Sequence, residues 1–154
     1  MTKLYITCDH AGWKLKNKIV DYFSSQGISI HDLVTDFDKE DDYPDTAKLL
    51  ATKLKNDISN RDESIGIAIC GSGQGICMAL NRFFFIRASM PRTVQEAQKT
   101  RQHNQSNVLC LGSEAKYFDE VLEIVNAFIS TPLQNVDRHT RRINKVDDKN
   151  YTLI

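Results

Sequence analysis

Short apolar runs alternate with stretches in which apolar residues recur every three or four positions along this 154-residue chain, the pattern of a parallel sheet covered by helices. The runs predict strands at 3–7, 28–33, 64–70, 86–90 and 107–111. Helices over 13–25, 44–56, 76–83, 93–102 and 116–130 fall between and after them. Gly27 reads as the cap that ends the first helix, and Pro44 suits the first turn of the second. A last helical piece over 138–147 follows the break at Pro132. The expected fold is a three-layer α/β/α sandwich with a five-stranded parallel sheet, Rossmann-like in character. A single domain over 1–154 is expected, with 137–154 as a C-terminal helical arm, because no repeat or low-complexity linker divides the chain.

Charge narrows the function. Twenty basic residues balance twenty acidic ones, so nothing predicts a general affinity for nucleic acid or an anionic membrane. The N-terminus lacks the apolar core of a signal peptide, and no run approaches the length of a membrane span. Cys8, Cys70, Cys77 and Cys110 form no C-x-x-C pair and no metal-finger spacing. Unpaired thiols fit a reducing compartment, so the expectation is a cytoplasmic protein with no metal.

The stretch Cys70-Gly-Ser-Gly-Gln-Gly75 carries the most chemistry. It sets a thiol at the end of a buried strand, against a glycine-rich turn whose free N–H groups favour anions and lower a cysteine pKa. Cys70 then serves as base or nucleophile, or is one more small core residue. Position favours chemistry, since open parallel sheets take ligands at the carboxyl ends of their strands. Two other segments join it: Cys8-Asp9-His10-Ala11-Gly12 after the first strand and Arg101-Gln102-His103-Asn104 before the fifth. Asp9 and His10 can orient each other or a substrate hydroxyl, although Asp9 also suits a plain cap for the helix at Trp13. His103 and Asn104 equally suit a helix C-terminus with no further role. Convergence of these groups on one concave edge is the expectation. In the tail, Arg138 and Arg142 share one helix face and can clamp a phosphate, or make a solvated basic helix.

Several enzyme classes fail on the Cys70 loop. The third glycine arrives one residue early for a dinucleotide fingerprint, and Gly75 is followed by Ile76-Cys77 where a phosphate-binding P-loop needs Lys and Ser or Thr. A thiol phosphatase would place arginine where Ile76 stands, and a receiver domain would place aspartate where Cys70 stands. What remains is a thiol beside an oxyanion-binding loop, with a separate anion clamp. That is equipment for proton abstraction next to a carbonyl in a phosphorylated substrate.

Cys8-Asp-His-Ala-Gly12, Asp42-Tyr-Pro44, Ile69-Cys-Gly-Ser-Gly-Gln-Gly75, Asn81, Ile86-Arg-Ala88, Arg101-Gln-His-Asn104, Asn107-Val-Leu109, Gly112-Ser113 and Arg138-His139 with Arg142 resemble the type B ribose-5-phosphate isomerases of the RpiB/LacAB family. The resemblance implies cofactor-free interconversion of D-ribose 5-phosphate and D-ribulose 5-phosphate through an enediolate, in the pentose phosphate pathway. It further implies a homodimer with a shared active site, or a dimer of such dimers. By matched position, Cys70 moves the proton between C2 and C1, and the amides of Gly71, Ser72, Gly73, Gln74 and Gly75 hold the enediolate oxygen. Ser72 passes a proton between O1 and O2, and His103 with Asp9 assists ring opening. His10, Arg138 and Arg142 bind phosphate, and Tyr43 and Asn104 contact the sugar.

Three positions depart from the family pattern. Phe85 stands where glycine usually precedes Ile-Arg-Ala, Glu114 stands where many relatives carry arginine, and Ile76 stands where some carry a glutamate base. The last leaves proton transfer to Cys70. Alternatives are an isomerase of allose or galactose 6-phosphate, a sugar-phosphate-binding regulator without turnover, and, least favoured by neutral charge, a nucleic-acid-binding module.

Overall fold

The computed structural model describes residues 2–114 and 117–148. Five parallel strands, β1 (Lys3–Cys8), β2 (His31–Asp32), β3 (Ser64–Cys70), β4 (Ala88–Ser89) and β5 (Val108–Gly112), form one sheet in the order β2-β1-β3-β5-β4. Between and after them run α1 (Trp13–Ser25), α2 (Tyr43–Ser59), α3 (Gln74–Leu80), α4 (Val94–Asn104), α5 (Phe118–Ser130) and α6 (Asp137–Val146), with a 3-10 turn at His10–Gly12. The α/β sandwich expected from the pattern is the observed one.

Strand alternation sorts the core into two layers. Leu4, Ile6, Ile65, Ile67, Ile69, Leu109 and Leu111 face Ile19 and Phe23 of α1 and Val121, Val125 and Phe128 of α5. Tyr5, Ala68, Cys70, Val108 and Cys110 face Ala47, Leu50 and Leu54 of α2 and Ile76 and Leu80 of α3. Burial on both faces is why β1, β3 and β5 read as unbroken apolar runs.

The edge strands are shorter than the 28–33 and 86–90 expected. At one edge Ile28 is exposed, and β2 pairs only through His31 and Asp32. A side chain holds this edge where a ladder would: Lys16, fully buried, donates to Asp32 Oδ2 at 2.6 Å and to the Val34 carbonyl at 2.8 Å. Its ammonium also lies 4.0 Å from the Trp13 ring centroid. At the other edge, asparagine amides replace strand partners. Asn107 Oδ1 accepts from Arg87 N at 2.8 Å, and Asn81 both accepts from Ala88 N and donates to its carbonyl at 2.9 Å.

Helix ends moved by a few residues. α2 begins at Tyr43 with Pro44 in its first turn, and Gly27 follows α1 with φ +70°, as expected for a C-terminal glycine. α3 starts at Gln74, two residues early, because Gly73 turns the chain with φ +79°. α4 runs on through Asn104. Lys116, expected to open the fifth helix, lies outside the described residues, as does 149–154 of the arm. The described part of the arm, α6, docks on α4 through buried His139 and Ile143.

Candidate active site

β1 and β3 are neighbours whose following helices cover opposite faces of the sheet. A crevice therefore opens between their carboxyl ends, the position where this architecture takes its ligands. Cys8-Asp9 and Cys70-Gly71 end those two strands.

Cys70 is 4% exposed, and its sulfur accepts a hydrogen bond from Gly73 N at 3.2 Å. The turn that presents the thiol therefore also aims a backbone N–H at it. Gly73 is obligatory twice over. Its φ is positive, and a Cβ there would lie 2.7 Å from Met90 Sδ and 2.8 Å from the Leu111 carbonyl carbon. Gln74 N donates to Ser72 Oγ at 3.3 Å, and the loop is tied to β5 by Ser113 N on the Cys70 carbonyl at 2.9 Å and Glu114 N on that of Gly71 at 3.3 Å. Glu114 thus touches the loop through its backbone.

Cys8 and Cys110 are held in the thiol form. Burial pushes Cys8 up to about 12, so it stays neutral in the core. Cys110 is also held protonated, by its hydrogen bond with Cys77 and by burial. Cys77 and Cys110 are hydrogen-bonded to each other.

Asp9 is buried, takes Gly12 N on Oδ1 at 3.1 Å and donates its own N–H to the Ile69 carbonyl at 3.1 Å. It caps the 3-10 turn, where a cap on the helix at Trp13 was the simpler expectation. His10 follows on that turn, with N and Nδ1 both 2.8 Å from Asp41 Oδ1. That carboxylate holds the imidazole above its ordinary pKa. Tyr43 opens α2 and lays its ring on Gly75, where a Cβ would stand 2.7 Å from Cζ. Asp9, His10, Tyr43, Cys70 and the 71–75 loop thus share one edge.

His103 and Asn104 do not join them. α4 returns antiparallel to the strands, so its end lies beside the amino edge of the sheet. Val108 is level with Gly66 and Gly112 with Cys70, which puts the start of β5 about 13 Å back along the strand direction. There His103 stacks on His139, with ring centroids 4.4 Å apart and planes at 11°. Both rings, with Asn104 and Arg142, line a cleft of about 770 Å³. Arg138 lies exposed on the same helix as Arg142. His139 is pushed below its ordinary pKa by burial, then by His103, Arg138 and Arg142. Convergence on one edge of one chain is therefore corrected: the residues form two groups, because a segment that precedes a parallel strand lies at the opposite end from those that follow one.

Asp41 was missed from sequence, although the acidic run Asp41-Asp42 before Tyr43 was the signal. Among the described residues no group of three or more His, Cys, Asp or Glu gathers to hold a metal ion, and no helix is long and apolar enough to cross a membrane.

A thiol that accepts an amide N–H and an imidazole held above its ordinary pKa by a carboxylate, set at the switch point of a parallel sheet, define an α/β enzyme for small anionic substrates. Residues 4–146 match the model of the ribose/galactose isomerase family, and the chain belongs to that family. A probable ribose-5-phosphate isomerase B of Mycoplasma genitalium is 38% identical over 144 residues, covering 93% of this chain and 92% of that one. The ribose-5-phosphate isomerase B of Mycobacterium tuberculosis is 34% identical over 143 residues, with 92% and 86% covered. Among solved structures, the Mycoplasma genitalium isomerase B with bound ribulose 5-phosphate superposes with TM-score 0.84 at 37% identity, covering 95% of this chain and 94% of that one. The Clostridium thermocellum isomerase B gives 0.87 at 33%, with 98% and 100% covered.

Proposed function

We propose that this protein interconverts D-ribose 5-phosphate and D-ribulose 5-phosphate, in a homodimer that joins the carboxyl edge of one subunit to the amino edge of its partner. The observation that carries the reading is the Cys70 thiol under the Gly73 amide at 3.2 Å, in a chain matched almost end to end to isomerases of this type. Two edges about 13 Å apart lie beyond the span of one pentose phosphate, so a second copy supplies what each edge lacks.

His103 of the partner subunit, with Asp9, moves the anomeric hydroxyl proton to the ring oxygen and opens the furanose. The Cys70 thiolate then takes the C2 proton, and the electron pair left behind runs into the C1 carbonyl. The 71–75 amides hold the resulting oxyanion, stabilising the transition state more than the aldehyde. Ser72 carries a proton from O2 to O1, and Cys70 returns its proton to C1, leaving the ketose. His10 and the partner's Arg138 and Arg142 hold the phosphate, while Tyr43 and Asn104 of the partner subunit contact the sugar. No step calls for a cofactor. Four free thiols among the described residues suit a reducing cytoplasm.

The deciding experiment measures turnover of ribose 5-phosphate, allose 6-phosphate and galactose 6-phosphate side by side. A higher specificity constant for the pentose is expected. Preference for either hexose overturns the substrate, and binding without turnover of any of the three makes the protein a regulator.

A further inference from the structure

The loop from β2 to α2 reaches across to the 3-10 turn through Asp41. Oδ1 of Asp41 lies 2.8 Å from His10 N and 2.8 Å from His10 Nδ1, and the Asp41 carbonyl lies 3.2 Å from the same ring nitrogen. Both groups facing Nδ1 accept hydrogen bonds and neither donates, so Nδ1 carries a hydrogen and Nε2 is the ring's other polar atom. We infer that Asp41 is a positioning residue for phosphate recognition, its Oδ1 taking both the backbone N–H and the ring Nδ1–H of His10 so that the ring is held with Nε2 presented to the substrate's phosphate. This rests on the sugar-phosphate reading above and adds to it a residue outside the matched motifs.

A neutral ring with Nδ1–H offers phosphate only a lone pair at Nε2, which repels it. An imidazolium offers N–H and a charge. Asp41 and Asp9 are the charged groups acting on the ring within the chain, and both favour the cation, Asp41 most through its hydrogen bond. In the assembled site Arg138 and Arg142 of the partner subunit oppose them. The carboxylate therefore shifts His10 toward the cation, against two guanidinium groups. The sign follows: phosphate affinity is full below the ring's midpoint and falls as pH rises through it.

Asp41→Asn keeps an acceptor for Nδ1–H and removes the charge, and Asp41→Glu restores the charge. The His10 midpoint is read by NMR titration of the ring without substrate. Inorganic phosphate affinity and the KM and kcat for ribose 5-phosphate are read against pH. In the Asn variant the midpoint should fall, and KM near neutral pH should rise about tenfold with kcat within about twofold, the size of losing one charge-assisted contact. The Glu variant should recover most of that loss. A midpoint that does not move overturns the inference whatever the activity does. A midpoint that falls while both phosphate affinity and KM keep their pH profiles also overturns it, because His10 then does not meet phosphate. Absence of wild-type turnover on ribose 5-phosphate strikes the functional reading instead and leaves the titration and inorganic phosphate arms to decide on Asp41.

Discussion

Cys70 and Gly73 work as a pair, because one supplies the sulfur and the other the N–H that faces it. Cys70→Ala should lower kcat on ribose 5-phosphate by roughly a hundred to ten thousand fold, with KM little changed, the pattern of losing a general base. Steady-state assays check this, and near-normal kcat would remove Cys70 from proton transfer. Gly73→Ala should cost about 1–3 kcal/mol for a left-handed backbone, plus the clash with Leu111 and Met90. Gly27→Ala makes the control, since its φ is also positive but a Cβ there meets nothing within 4 Å. It should show the conformational cost alone, about 1–2 kcal/mol. Denaturant unfolding compares the two, and equal losses would mean that the close approach at Gly73 is relieved for free. Residues in the Cys70 loop were readable from sequence because strand, thiol and glycines are contiguous. Asp41 was not, because its partner His10 is thirty-one positions away and only the folded loop brings them together.

Long elements were legible and short ones were not. β3 and α1 have the bounds expected from hydrophobic pattern, since each buries a continuous run or stripe. β2 and β4 shrank to two residues each. Lys16, Asn81 and Asn107 take backbone groups there that a longer ladder would have used, and no periodicity records that substitution. The tail helix was legible as a helix, yet its place on α4 depended on His139 stacking against His103, a contact no local pattern announces. α6 carries its own prediction. Arg138→Ala and Arg142→Ala should each weaken binding of phosphorylated ligands about tenfold to a hundredfold. Inorganic phosphate should raise the Tm of wild type and not of the double variant. Unchanged phosphate protection in the double variant would place the anion elsewhere.

At the scale of the molecule, the proposed division of the site between two subunits predicts intragenic complementation. Chains carrying Cys70→Ala and chains carrying His103→Ala should each be nearly inactive on ribose 5-phosphate. Unfolded together and refolded at equal amounts, half the dimers are hybrids, and each hybrid has one site with both edges intact. Recovery of about a quarter of wild-type activity is expected from a symmetric two-fold dimer. No recovery would mean that each chain completes its own site. The same division sets the kinetic order in enzyme. Above the dissociation constant of the dimer, rate grows in proportion to protein. Far below it the rate should fall with the square of concentration, because each separated chain keeps half the groups the reaction needs. In the proposed dimer the about 13 Å between one strand's two ends makes assembly a condition of turnover, and serial dilution becomes a way to weigh subunit affinity by catalysis alone.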